Sequence, residues 1–270
     1  MRDTARLLLI AAVLMTASTP ALSSDLTVFA PGIASVGLRK LADEWTAQTG
    51  NKVTITGANV GRILTSVNGN VPADLVLLPP DNLKEISTKL APGSMVTLGR
   101  ALFGMAVKAG GPHPDISTLP KFAAVLKATG VIGYPDPLVG SLSGAMVADM
   151  LKRPEFTGVA GRPLKENAAN IVKNGDAPFS GGVISEEITD PGAELVGLFP
   201  AALDMRIDLS VAVLSYAAAP DDAASFLRYI TRPEAAAIWH GCGVEVNDAI
   251  VTAPRMACPI PPPAPRPPGQ

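Results

Sequence analysis

Aromatic residues make up only 4% of this 270-residue chain: two Trp, three Tyr and seven Phe. Proteins that grip sugars or bases on stacked rings need more, so such platforms are disfavoured. Charge is sparse as well. Asp, Glu, Lys and Arg together reach 17%, the formal net charge is −2 at pH 7, and no Lys/Arg block occurs. That disfavours nucleic acid as a partner. Histidine and cysteine occur twice each. His240 stands just before Cys242, and His113 is the only other histidine. A zinc site usually takes four ligands, so no metal is expected, and no cofactor motif is present. No G-x-S-x-G elbow occurs and neither histidine has an evident nucleophile, which disfavours a Ser-His-Asp hydrolase. Long apolar runs are missing too: none reaches the ~18 residues that span a bilayer.

What the chain does have begins with an export pattern. Arg2 and Arg6 form a basic start, residues 7–15 an apolar core, and residues 19–24 a small-residue exit. This reads as a secretory signal cleaved near Ser23 or Ala21; an uncleaved anchor is the competing reading. Removing 23 of 270 residues leaves about 247, enough for one large domain or two lobes of about 100–120. In an exported chain a Cys242–Cys258 disulfide is the favoured reading. Its loop of about 15 residues would contribute on the order of 3 kcal/mol. After Cys258 the chain reads PIPPPAPRPPGQ. That composition favours polyproline II or disorder over a packed core.

Residues 25–78 carry the most information. They read as strand (26–30), helix (36–48, with Ser35 as N-cap), strand (53–56), a helix from about Gly61, and strand (74–78). Leu38, Leu41, Ala42 and Trp45 fall at helical spacing on one face, and Gly50 suits a helix end. Asp81 can cap a helix to residue 90. Further strands are expected at 95–98 and 102–108. Then come a helix from Ser117 to 127, a strand at 131–134, and a turn, DPLVGSLSG, opening a helix to about 151. A helix at 167–174, strands at 182–185, 194–198 and 207–214, and helices at 221–231 and 234–240 follow. Alternating strands and helices imply an α/β architecture with mostly parallel sheets. Two successive strand-to-helix turns place two helix N-termini on one sheet edge. Unpaired N–H groups and partial positive charge make such an edge a ready anion site.

The segments DLTVFAPGIASVGLRKLADEWTAQTGNKVTI, GANVG, PADLVLLPP, GYPDPLVGSLSG, GDAPFSGGVIS and DDAASFLRYITRPEAAAIWHGCGVE, in that order, resemble the type II periplasmic solute-binding proteins. The nearest branch is the molybdate-binding-like one, and the likeness covers roughly residues 25–246. The resemblance implies a two-lobe fold with two crossing strands as hinge, at 100–108 and 207–214. Lobe 1 would be 24–103 plus 208–258, lobe 2 104–207, and 259–270 a tail. It further implies a periplasmic monomer that holds a small anion between its lobes and delivers it to the permease of an ABC transporter.

Molybdate binders of this family carry a serine in each of the first two turns. Here the first turn is Ala30-Pro31-Gly32-Ile33-Ala34, with no hydroxyl before Ser35, and the second is Gly57-Ala58-Asn59-Val60-Gly61. Arg62 follows. A cation in a first helical turn opposes the helix dipole and makes more sense beside a ligand carboxylate. The ligand-binding residues expected from this pattern are Gly32, Ile33, Asn59, Val60, Arg62, Ser141, Ser143 and Gly181; Ser180 and Gly182 flank the last. The branch also resembles the periplasmic aconitate isomerase, so allylic proton transfer on a tricarboxylate is the alternative activity. Glu186, Glu187 and Tyr134 are its candidate proton carriers, while Tyr134 and Tyr216 otherwise read as packing residues. A receptor-coupled sensor on the same scaffold is a third reading.

Overall fold

The computed structural model describes residues 24–187 and 190–246. The expected signal segment, Cys258 and the proline-rich tail lie outside them.

The first arm of the sheet follows the sequence pattern closely. Strand β1 (Leu26–Ala30) runs into helix α1 (Gly32–Thr49), β2 (Val53–Gly57) into α2 (Val60–Asn68), and β3 (Leu75–Leu78) into the short α3 (Pro80–Glu85). β1 pairs in parallel with β2 and β3. β3 is buried along its whole length, as a run of Leu and Val flanked by helices should be. The buried face of α1 includes Leu38, Leu41, Ala42 and Trp45, and Gly50 ends the helix in the left-handed region. Trp45 meets Phe226 and Tyr229 edge-on, at centroid distances of 5.7 and 5.0 Å.

Two helix starts differ from expectation. α1 begins at Gly32 rather than after Ser35: Pro31, extended at ψ 156°, is the residue ahead of its first turn. Ser35 therefore sits inside the first turn, where its hydroxyl donates to the Gly32 carbonyl (3.0 Å). Asp81 does not cap α3; Pro79 takes that place, and Asp81 pairs with Lys84 at 2.9 Å.

The expected strands at 95–98 and 102–108 are one 13-residue strand, β4 (Val96–Lys108). It continues into α4 (Leu119–Thr129), β5 (Val131–Pro135), α5 (Leu142–Met150), β6 (Ala160–Leu164) and α6 (Ala168–Asn174). Then follow β7 (Phe179–Val183), α7 (Ile184–Glu187), β8 (Ala193–Leu198), β9 (Arg206–Val213), α8 (Pro220–Thr231), α9 (Ala236–Gly241) and β10 (Val244–Glu245). The main path of the sheet is β2-β1-β3-β9-β4-β7-β5-β6, with β8 and β10 also on β4. Parallel pairs occupy the two ends: β2-β1-β3 and β7-β5-β6. Antiparallel pairs join them through β9 and β4. The near half of β4 lies on β9 and β10, the far half on β7 and β8, so one strand serves both arms.

Cys242 is buried where α9 ends. Among the described residues no helix is long and apolar enough to cross a membrane.

Candidate functional site

The loops that precede α1, α2 and α5 converge on one open cavity of about 390 Å³. Gly32 and Ile33 from α1, Asn59 and Val60 from α2, and Ser141 and Ser143 from α5 all line it. These six expected site residues come from both ends of the sheet. They meet because every strand-to-helix turn of a parallel unit lies at the carboxyl end of its strands.

Each helix start is built differently. Asn59 accepts the Arg62 N–H through Oδ1 (2.9 Å) and donates through Nδ2 to the Val139 carbonyl (3.1 Å). One side chain thus caps α2 and reaches the loop before α5. The close approach needs Gly140, whose φ is +86°: a Cβ there would lie 2.6 Å from Asn59 Nδ2. Ser141 caps α5 by accepting the Gly144 N–H (3.0 Å), and its hydroxyl lies 3.2 Å from that of Ser143. α1 has no side-chain cap and no acidic residue in its first turn. Its dipole faces the cavity without an internal counter-charge.

Gly144 fixes how α5 sits. A Cβ there would fall 1.7 Å from the Pro135 carbonyl oxygen, so the helix rests directly on the end of β5. Gly144→Ala is expected to push α5 away, carry Ser141 and Ser143 with it, and cost about 1–3 kcal/mol. In a melting experiment that is a fall of about 2–4 °C per kcal/mol. An unchanged melting temperature would show that α5 is not held by this contact.

Arg62 and Gly181 lie apart from the cavity lining. Arg62 is exposed on the outer side of α2. Gly181 is buried in β7, where a Cβ would meet Phe199 at 2.9 Å, and the neighbouring Ser180 hydroxyl donates to Ala168 O (2.6 Å). That segment fastens β7 to α6. Tyr134 and Tyr216 are packed, the first against Gly161 and the second beside the cluster around Phe29 and Leu78. Burial raises both phenols above their usual pKa.

Sequence reasoning missed three charged residues of the lining, Arg39, Lys165 and Glu166; of the three candidate proton carriers, Glu186 lines the cavity and Glu187 and Tyr134 do not. Arg39 lies on α1; helical side chains lean toward the N-terminus, which brings its guanidinium to the cavity. Lys165 and Glu166 follow β6. Among the described residues neither Arg39 nor Lys165 forms an ion pair.

Glu186 sits on the short helix α7, which is bolted to α1 by the Ser185 hydroxyl donating to Ile33 O (2.8 Å). A Cβ on Gly32 would lie 3.3 Å from Glu186 Oε1, so this carboxyl stands at the first turn of α1. Burial pushes its pKa up to about 7. Glu187, fully buried beside it, is held well above the carboxylate range by burial and by Glu186. The Gly182 N–H gives Glu187 weak support, but neither of its oxygens makes a well-formed hydrogen bond.

A mixed sheet with a polar, cation-bearing cleft between its two arms defines a two-lobe periplasmic binding protein fold. Residues 26–245 match the family described as bacterial extracellular solute-binding protein, and the chain belongs to that family. An aconitate isomerase from Pseudomonas sp. is 31% identical over 235 residues, covering 83% of this chain and 90% of that protein. The periplasmic molybdate-binding protein of Azotobacter vinelandii superposes with a TM-score of 0.63 at 19% identity, over 82% of this chain and 99% of that one. The sulfate-binding protein of Mycobacterium tuberculosis H37Rv superposes at 0.65 with 16% identity, over 84% and 89%. At those identities the two structures speak for the fold alone.

Proposed function

We propose that the cleft takes up a small polycarboxylate anion and that the protein serves as the solute-binding component of an ABC-type importer. The uncapped start of α1, which lines the same cavity as the two cations Arg39 and Lys165, carries this reading. Two cations and three helix starts in one lining suit a ligand with several carboxylates better than one compact oxyanion. Asn59 in the second turn and the lack of a hydroxyl ahead of Ser35 in the first point the same way. In this reading residues 24–103 with 208–258 and residues 104–207 form the two lobes. They close about β4 and β9 in a monomer that works in the periplasm after signal cleavage near Ser23. A Cys242–Cys258 bridge would tie the C-terminal strap to α9.

One observation favours a second reading, an isomerase of the aconitate type. Glu186 stands in the cleft wall with a pKa near neutrality, where a carboxyl can both take and return a proton. An allylic 1,3-shift needs nothing more by way of reagents. The base removes a C–H proton, the electron pair moves the double bond one position, and the same carboxyl returns the proton at the far carbon.

A thermal-shift series on the mature protein tests both readings. Citrate, tricarballylate, cis- and trans-aconitate are set against molybdate, tungstate, sulfate and phosphate. A ligand at ~100 times its dissociation constant adds about 2.7 kcal/mol of stability. Stabilisation confined to tricarboxylates is the expected result; stabilisation by molybdate or sulfate alone would overturn the carboxylate assignment. NMR of either aconitate isomer in D2O separates binder from enzyme. Interconversion with deuterium entering the product makes the protein an isomerase; bound but unchanged acid makes it a carrier.

A further inference from the structure

The lining of the cleft has an odd charge balance for an anion site. Arg39 and Lys165 are offset by Glu166 and Glu186. Lys165 and Glu166 are exposed at the rim, where water screens them. Glu186 is different: it is half-buried, it lies against the bare Cα of Gly32, and the Ser185–Ile33 hydrogen bond prevents α7 from backing away. Its carboxyl thus stands at the uncapped start of α1, where an anionic ligand would be held. An ionised Glu186 and a ligand carboxylate cannot share that place without strong repulsion.

We infer that Glu186 carries a proton in the ligand complex and donates it as a hydrogen bond to the bound anion, so that capture of a polycarboxylate is coupled to uptake of a proton. This rests on the cleft being the ligand site. The proton comes from hydronium or buffer acid, one O–H bond breaking there as one forms on Glu186, and it stays on Glu186 or is shared with the ligand; no other covalent bond changes. With Glu186 neutral the four charged lining residues sum to +1, and with it ionised they sum to zero.

The surroundings agree. From α1 the only charged lining residue is Arg39, and from the segment after β6 they are Lys165 and Glu166; α2 and α5 bring only amides and hydroxyls. Glu187, next along α7, is buried against Gly104 and Gly182 and is itself disposed to stay protonated. Among the other elements packed on α7, α6 carries Lys173, paired with Asp190 at 2.5 Å. β8 carries Glu194, paired with His113 at 2.9 Å, and β4 carries Arg100, 3.3 Å from Glu245. The strongest neighbouring influence on Glu186 is therefore burial, which favours its neutral form up to about pH 7.

The sign follows directly. A second anion raises the pKa of Glu186 further, so the complex binds more protons than the free protein above about pH 7. Affinity is then flat below that point and falls by up to tenfold per pH unit above it.

The test uses tricarballylate, a saturated tricarboxylate that cannot isomerise and has no hydroxyl of its own. Titration calorimetry at pH 8, in two buffers of different ionisation enthalpy, should show close to one proton taken up per ligand. Between pH 6.5 and 8.5 the dissociation constant of the native protein should weaken by roughly tenfold or more. Glu186→Gln supplies a permanent amide donor, and its dissociation constant should lose this pH dependence. Binding by the native protein with no proton uptake overturns the inference while leaving the cleft reading in place, as does an unchanged pH slope in Glu186→Gln. Absence of binding in both forms, to every acid and oxyanion in the series above, overturns the cleft reading and this inference with it.

Discussion

Replacing Asp74 by alanine is expected to remove on the order of 3–5 kcal/mol of stability. Asp74 is 4% exposed. Its carboxylate accepts the Thr27 N–H through Oδ2 (2.8 Å) and the Ala218 and Ala219 N–H groups through Oδ1 (3.0 and 3.2 Å). Its own backbone adds two bonds, Asp74 N–H to Thr27 O and Leu214 N–H to Asp74 O, both 2.8 Å. One residue thereby joins β1, the start of β3, the end of β9 and the approach to α8. Alanine would leave three backbone donors facing a cavity that holds no acceptor, and the cost of stranded donors, rather than lost packing, sets the size of the effect. Domains of this kind are stable by only about 5–15 kcal/mol, so the variant should sit near the edge of folding. Asp74→Asn keeps the shape and one acceptor oxygen but turns an amide donor toward other donors, so an intermediate loss is expected. Urea melts of the three proteins measure this. A value for Asp74→Ala within about 0.5 kcal/mol of the native protein would mean water enters and satisfies the donors.

Which parts of this structure could be read from the chain depends on whether local or long-range forces decide them. The body and the Gly50 end of α1 were readable because apolar spacing and a terminal glycine agree there, although its start was not. β6 was not: Ala160–Leu164 reads AGRPL, with a glycine, a proline and no β-branched residue. It is a strand because it pairs with β5 at the sheet edge, a position that tolerates Pro163. β10, two residues long, exists only through pairing with Ala101 and Arg100 of β4. Glu186 was expected beyond the end of a strand at 182–185, but that strand ends at Val183 and a turn of helix follows. Two adjacent glutamates resemble a solvated turn; only the packing of α7 on α1 and β4 reveals that Glu187 is buried and Glu186 half-buried. Arg39 was missed for a smaller reason. With the helix started after Ser35, Arg39 falls in its first turn as an ordinary surface cation. Moving the start to Gly32 places it two turns in, with its side chain leaning back over the helix mouth.

That shift leads to the largest expected effect on ligand binding: Arg39→Ala should weaken tricarboxylate affinity by roughly 10- to 100-fold, while Arg62→Ala leaves it within about threefold. A guanidinium-carboxylate contact is worth about 1.5–3 kcal/mol when its partner is left unpaired. Arg39 lines the cavity and Arg62 does not. Arg62 contributes to α2 through its backbone, whose N–H is held by Asn59, and alanine preserves that bond. Neither arginine forms an ion pair among the described residues, so neither change strands a buried partner, and melting temperatures should stay close to native. Arg39→Lys separates charge from shape. A lysine keeps the charge but not the planar fork, so partial recovery points to electrostatic attraction and no recovery to a two-pronged grip. The comparison is informative in either direction, because the two arginines lie on successive helices that both open onto the same edge of the sheet. If Arg62→Ala lost affinity and Arg39→Ala did not, the ligand would rest on the outer side of α2, and the cleft between the two arms would have to be abandoned as its site.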